Sequence, residues 1–162
     1  MSTRSLLASA WALDVNTGTS DDPEWTPIKG MSSFKETIDS TMEDDSDFDD
    51  PEWGSDEVTQ RKWRLECEGK RKRDADNETT FTPDPGQEFI RRAGNRVGVG
   101  SGIEIRYYRR DGAPDAWQGR ANVQYGGGGG ATTALEPFNF TLGGRGSRTE
   151  LTPYPDLETE TE

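Results

Sequence analysis

Histidine is absent from all 162 residues, so the commonest general base and metal ligand is missing. Carboxylates, one thiol and two glycine-rich runs are what remain for chemistry. Cys67 has no imidazole to activate it and alternates with Trp63 and Leu65 on one apolar face, which reads as core packing. Asp45, Asp47 and Asp49 stand at positions 1, 3 and 5 of a calcium-loop spacing, with Asp56 at position 12. The pattern then fails: Asp50 occupies the place of the turn glycine, Pro51 follows, and the flanks alternate like strands rather than helices. Glycoside chemistry needs two carboxylates held rigidly across a cleft, which an acidic run does not supply. Gly143-Gly144-Arg145-Gly146 and the glycines at 126–130 lack the strand-to-helix setting and the lysine of a phosphate loop, and read as turns. No enzyme is expected, and no metal or other cofactor.

Recognition by charge is the chemistry left. Residues 36–57 hold eleven acids and no base. A run of this kind repels itself and has no apolar face on which to fold alone. Strand-like runs at 25–37 and 57–69 flank it, making residues 37–56 the long tip of a hairpin. Unstructured loops beyond about 12–15 residues are uncommon in compact domains and tend to be functional or disordered. The cations Lys70, Arg71, Lys72 and Arg73, with Arg91, Arg92 and Arg96, either form a solvated patch or bind a neighbouring copy's acidic arm. Exposed ion pairs contribute only about 0–1 kcal/mol each, so Phe48 and Trp53 are expected to supply apolar anchoring. The candidate interface is therefore Asp44, Asp45, Asp47, Phe48, Asp49, Asp50 and Trp53 against Arg91, Arg92 and Arg96.

The elements that must position these groups are mostly strands. Residues 9–15 place Trp11, Leu13 and Val15 on one face, and a second strand begins at Trp25, with Pro27 and Gly30 marking an edge or a bulge and Ile28 and Phe34 inward. Residues 57–69 alternate most clearly. Asp84, Pro85 and Gln87 read as N-cap, first helical position and capping-box partner, and open a helix whose apolar stripe is Phe89, Ile90, Ala93 and Val97, with Gly98 as its stop. Ile103, Ile105 and Tyr107 alternate in a fourth strand, Trp117 to Tyr125 in a fifth, and Phe138, Phe140 and Leu142 in a sixth. The glycines at 126–130 form the turn between the last two.

Leu, Ile, Val and Phe make up 24 of 162 residues, a share usually read as disordered when joined to a net charge of −12. That charge is uneven, with −11 on residues 36–57, −5 on residues 150–162 and +4 on the rest. A mildly basic, aromatic-rich body thus carries an acidic arm and an acidic tail. Its thin core implies stability gained by association, and the overall acidity argues against tight nucleic-acid binding. One domain is expected at 9–147, after a flexible lead at 1–8 and before a disordered acidic tail at 148–162. No signal peptide, internal disulfide or membrane-spanning run is expected.

The order of these parts resembles the major tail tube proteins of lambda-like long-tailed bacteriophages. The pieces that carry the likeness are WTPIKGMSSFKETIDSTMEDDSDFDDPEWGS, VTQRKWRLECEG, the helix after PDPGQEF, WQGRANVQY and PFNFTLGGRG. The resemblance implies two packed antiparallel sheets in a β-sandwich or barrel with one flanking helix. It further implies a structural virion protein that forms hexameric rings, stacked into a tube through which the genome is ejected, and a hairpin loop that orders between subunits or rings. Implied partners are other copies of the chain and the tape-measure, tail-terminator and tail-tip proteins, with DNA passing through the lumen unbound. Assembly would take place in the host cytoplasm. The alternative is another virion component, a tail-completion or head-decoration protein. The run at 126–130 is not part of the likeness.

Overall fold

The computed structural model describes residues 2–49, 51–76 and 79–151. Its strands are β1 (Trp11–Asn16), β2 (Trp25–Pro27), β3 (Met31–Asp44), β4 (Asp56–Gly69), β5 (Gly102–Arg109), β6 (Ala116–Tyr125) and β7 (Phe140–Glu150). Helix α1 (Pro85–Gly94) lies between β4 and β5. The strands pair antiparallel in one sheet of order β2-β1-β5-β6-β7-β4-β3. The mainly β class with one helix is as the sequence indicates.

Both layers come from that one sheet. Trp11 on β1 and Phe34 on β3 belong to opposite ends of the strand order, yet their rings stack 5.1 Å apart. Tyr107 on β5 lies 5.9 Å from each of them. A sheet whose ends meet through side chains has curled on itself into an open barrel. Residues 28–30 join the two edge strands, and Gly30 takes a φ of +80°, a conformation glycine adopts without steric cost. The single strand expected over 25–37 is thus divided between opposite edges, because Pro27 offers no ladder donor and Gly30 turns the chain.

The inward parity is as the sequence reads it. Leu13, Val15, Trp63, Leu65, Cys67, Ile103, Ile105, Tyr107, Ala121, Val123, Phe138, Phe140 and Leu142 form one buried cluster. Burying one such large side chain contributes about 1.5–3 kcal/mol, so a short list can hold a small domain. Cys67 sits inside this cluster, and burial pushes its thiol up to about 12, where it stays protonated.

Helix α1 begins as read: Asp84 accepts from the Gln87 amide at 3.2 Å, with Pro85 at the first position. Ile90 and Ala93 join the core cluster and Phe89 packs against it. The helix ends at Gly94, one turn early, where Asn95 Nδ2 turns back to the Arg91 carbonyl at 2.9 Å. Val97, expected on the apolar stripe, is consequently exposed. Gly94 has a packing role as well, since a Cβ there would come 2.5 Å from Cβ of Tyr125 on β6.

The Gln87 side chain does not complete a capping box. Its Oε1 accepts from the Lys72 amide at 2.8 Å, and Nε2 donates to the carbonyls of Lys29 at 2.6 Å and Lys70 at 2.9 Å. The N-cap amide of Asp84 instead donates to the Lys72 carbonyl. One buried amide side chain therefore ties the helix to the edge crossing and to the basic run after β4.

Two further expectations change. The Gly143-Gly144-Arg145-Gly146 run is not a turn but part of β7, where the register with β6 shifts between Gly119 and Ala121. β7 continues through Arg148, Thr149 and Glu150, three residues into the stretch expected as a disordered tail. Arg148 holds it there, with its guanidinium 3.8 Å from the Trp117 ring centroid. Residues 152–162 of that tail lie outside the described residues.

Candidate assembly interface

The arm is anchored where β3 and β4 leave the barrel. Trp63 is the first buried residue of β4, and its ring rests on Gly119 and Gly144, where added Cβ atoms would come to 2.9 Å and 2.4 Å. Its Nε1 donates to the Gly146 carbonyl at 3.0 Å. On β3, Glu36 falls on the inward parity between Phe34 and Ile38. Its carboxylate accepts from Tyr107 Oη at 2.6 Å and from Arg148 Nη1 at 2.6 Å, and Arg148 also touches Tyr107 Oη. Burial first, and the neighbouring Glu36 next, hold the Tyr107 hydroxyl well above its ordinary range. This carboxylate, phenol and guanidinium bind the arm's root to β5 and β7.

Beyond that root the chain is more ordered than its charge led us to expect. Residues 37–56 are not one loop, because β3 runs on to Asp44 and β4 begins at Asp56. β7 pairs with β4 only at residues 64–67, so residues 56–63 pair with β3 alone. The pairing explains the order, since Asp39 faces Lys62 and Ser40 faces Arg61, putting cations opposite the start of the acidic stretch. A bulge between Thr41 and Met42 then brings Met42 opposite Val58. Further out, Glu43 faces Glu57 and Asp44 faces Asp56, like charges that oppose pairing.

The result is a two-stranded ribbon, exposed on both faces along residues 39–44 and 56–62. Two strands alone are marginal in water. This ribbon also carries Ile38, Met42 and Val58, exposed by 41%, 59% and 38%, on the face that continues from Trp63.

Residues 45–49 and 51–55 belong to the tip, closed by the Asp45 amide to the Ser55 carbonyl at 2.9 Å and by the Ser55 amide to Ser46 Oγ at 2.8 Å. Ser46 also donates to Asp44 and holds that carboxyl below its ordinary value. The tip brings Asp44, Asp45, Asp47, Phe48, Asp49 and Trp53 together, with Phe48 fully exposed and Trp53 exposed by 74%. Asp50 lies outside the described residues. Asp47, one of the carboxylates at calcium-loop spacing, accepts from the Asp49 amide at 3.0 Å.

The cationic half lies elsewhere. Glu88 on α1 gathers three guanidinia: Arg91 at 2.5 Å, Arg92 at 3.1 Å and Arg71 at 3.7 Å. The hydrogen bond from Arg91 is the main reason its carboxyl is held down at about 2. Arg71 and Arg73 flank Phe81, 5.7 and 5.1 Å from its centroid. Arg96 is exposed past the helix end and, among the described residues, is not part of the Glu88 cluster. Arg71, which the sequence placed in the basic run but not in the candidate set, is a member.

Tip and cluster do not meet within one chain. The cluster lies at the Met31/Gly69 end of the hairpin, where the Lys70 amide donates to the Gly30 carbonyl at 2.9 Å and Gln87 fastens α1. The tip lies at the Asp44/Asp56 end, a full 14-residue strand away. At about 3.3 Å per residue that is roughly 40 Å of strand.

The anchor residues Glu36, Arg148 and Tyr107 were not foreseen as a group. The available signal was an acid on inward parity in β3. A second cross-strand ion pair lies on the other face of the sheet, where buried Asp14 faces Arg106 across β1 and β5 and accepts from its Nε at 2.8 Å.

Neither a protein-family model nor a curated protein matches the chain. Solved structures do. The chain superposes on one titled as the virion of a native gene transfer agent particle with a TM-score of 0.63 and 10% identity, covering 91% of this chain and 100% of that one. A second, titled as the tail of an empty gene transfer agent particle refined with C6 symmetry, gives a TM-score of 0.61 and 13% identity, with the same coverage. At these identities the likeness establishes a shared fold.

Proposed function

We propose that this chain is a major tail tube subunit, a structural virion protein that self-assembles into hexameric rings stacked as a tube for genome passage. The observation that carries the reading is the ribbon of residues 39–44 and 56–62, which leaves the barrel with both faces exposed and apolar side chains along one of them. An isolated ribbon of this composition is marginal alone and gains its partner in assembly. The fold shared with a particle tail refined with C6 symmetry supports six-fold rings. Under this reading the barrel, whose strands run from Trp11 to Glu150, is the ring-forming domain, and a net charge of −12 keeps DNA phosphates from sticking as they pass. Tape-measure, terminator and tip proteins would complete the tail.

Negative-stain microscopy of the concentrated pure protein tests this. Six-fold rings or tubes are expected, and a chain that stays monomeric at high concentration would overturn the reading.

A further inference from the structure

We infer that copies join head to tail, the acidic tip of one seated on the cationic cluster of Arg71, Arg91 and Arg92 in the next. The inference rests on the tube reading and specifies its contact. Tip and cluster lie at opposite ends of the β3–β4 hairpin, so neither can satisfy the other in one chain. Two different surfaces at opposite ends make a heterologous contact, which repeats without closing when the copies are aligned, and this is the geometry of a growing tube.

Charge selects the pairing. Three guanidinia share the single carboxylate of Glu88, so the cluster keeps a surplus of positive charge while Arg92 stays 66% exposed. The tip offers Asp44, Asp45, Asp47 and Asp49, all exposed. Apolar complementarity fixes the position. Arg92 lines a hollow of about 510 Å³ together with Pro83, Pro85 and Phe89, and Glu24 and Glu88 line it too. An exposed ring such as Phe48, with Asp47 and Asp49 on either side, or Trp53, next to Glu52, fits a hollow lined by apolar groups and a guanidinium. Phe81 already lies within 6 Å of two guanidinia, those of Arg71 and Arg73.

Two full-length variants test the inference: Arg71→Glu/Arg91→Glu/Arg92→Glu, with acids at both ends, and Asp45→Lys/Asp47→Lys/Asp49→Lys, with cations at both ends. Each alone should keep the near-ultraviolet circular dichroism of the folded chain and lose tube formation. Mixed in equal amounts, they should regain tubes, because every tip then meets a cluster of opposite sign. If the first variant does not fold, the milder Arg71→Gln/Arg91→Gln/Arg92→Gln should assemble more slowly than wild type and with a weaker dependence on salt. Wild-type tubes together with unimpaired tubes from the variant altered at the cluster would overturn this inference alone. A wild-type chain that never assembles would overturn the tube reading with it.

Discussion

The indole of Trp63 lies so close over Gly144 that a Cβ at that residue would stand 2.4 Å from the ring. A methyl group there must displace either the β7 backbone or the side chain that closes the base of the arm. Gly144→Ala should cost about 1–3 kcal/mol, the usual range for overpacking. It should also alter tryptophan fluorescence. Gly143→Ala, where an added Cβ meets nothing within 4 Å, should stay within about 0.5 kcal/mol of wild type. Denaturant unfolding of the two variants checks the contrast.

Glu36 offers a second prediction. Its carboxylate receives both Tyr107 Oη and Arg148 Nη1, so removing it leaves a phenol and a guanidinium without their acceptor. Glu36→Ala should destabilise by about 1–3 kcal/mol, the cost of leaving partly buried polar groups unsatisfied. Glu36→Gln, which keeps an acceptor oxygen, should cost less. Thermal melts rank the two, and equal losses would show that the hydrogen bonds contribute little.

These residues also show how far the sequence could be read. Period-two alternation located β1, the inner half of β4, β5 and β6, because each has one buried face and a clear parity. Asp84-Pro85 located the start of α1. Its end was misplaced because Val97 continues the apolar spacing, while Asn95 stops the helix through its own side chain. The glycines of β7 read as turns because glycine has no side chain to reveal parity, and their cause is a tryptophan 81 residues earlier in the chain, Trp63 against Gly144. The arm read as a loop because acids at 39–44 hide a ladder whose stabilising partners, Arg61 and Lys62, belong to the opposite strand. For β7 and the arm the missing information was a contact across the sheet, which local composition does not contain.

Acid should reveal the Glu88 cluster. The carboxyl is held down at about 2 from an ordinary 4.5, so its ion pairs stabilise the fold fully above pH 4.5. That contribution is lost as pH falls from about 4.5 through about 2, where the folded form also takes up the proton. Glu88→Gln should therefore melt below wild type at pH 7, and the gap should close across that window. A gap unchanged at pH 2 would contradict the assigned partners.

The ribbon leads to a last prediction, in which fold and assembly separate. Residues 40–44 and 56–61 pair only with each other, and Asp39 faces Lys62 at their base, so an Asn-Gly turn joining those two in place of residues 40–61 should close the hairpin at its root. The shortened chain keeps Trp63, Glu36 and every residue of the buried cluster, and its melting temperature should remain close to wild type. Rings or tubes should be lost, because the exposed Met42, Phe48, Trp53 and Val58 are removed together with the acidic tip. Hydrogen exchange in the intact chain gives the complementary measurement. The amides of residues 39–44 and 56–62, at the end where like charges face each other, should exchange quickly in the monomer and slowly once assembled, while those of β5 and β6 stay protected in both. Equal protection of the ribbon in the two states would mean that it is already stable alone, and the argument that association completes it would fail.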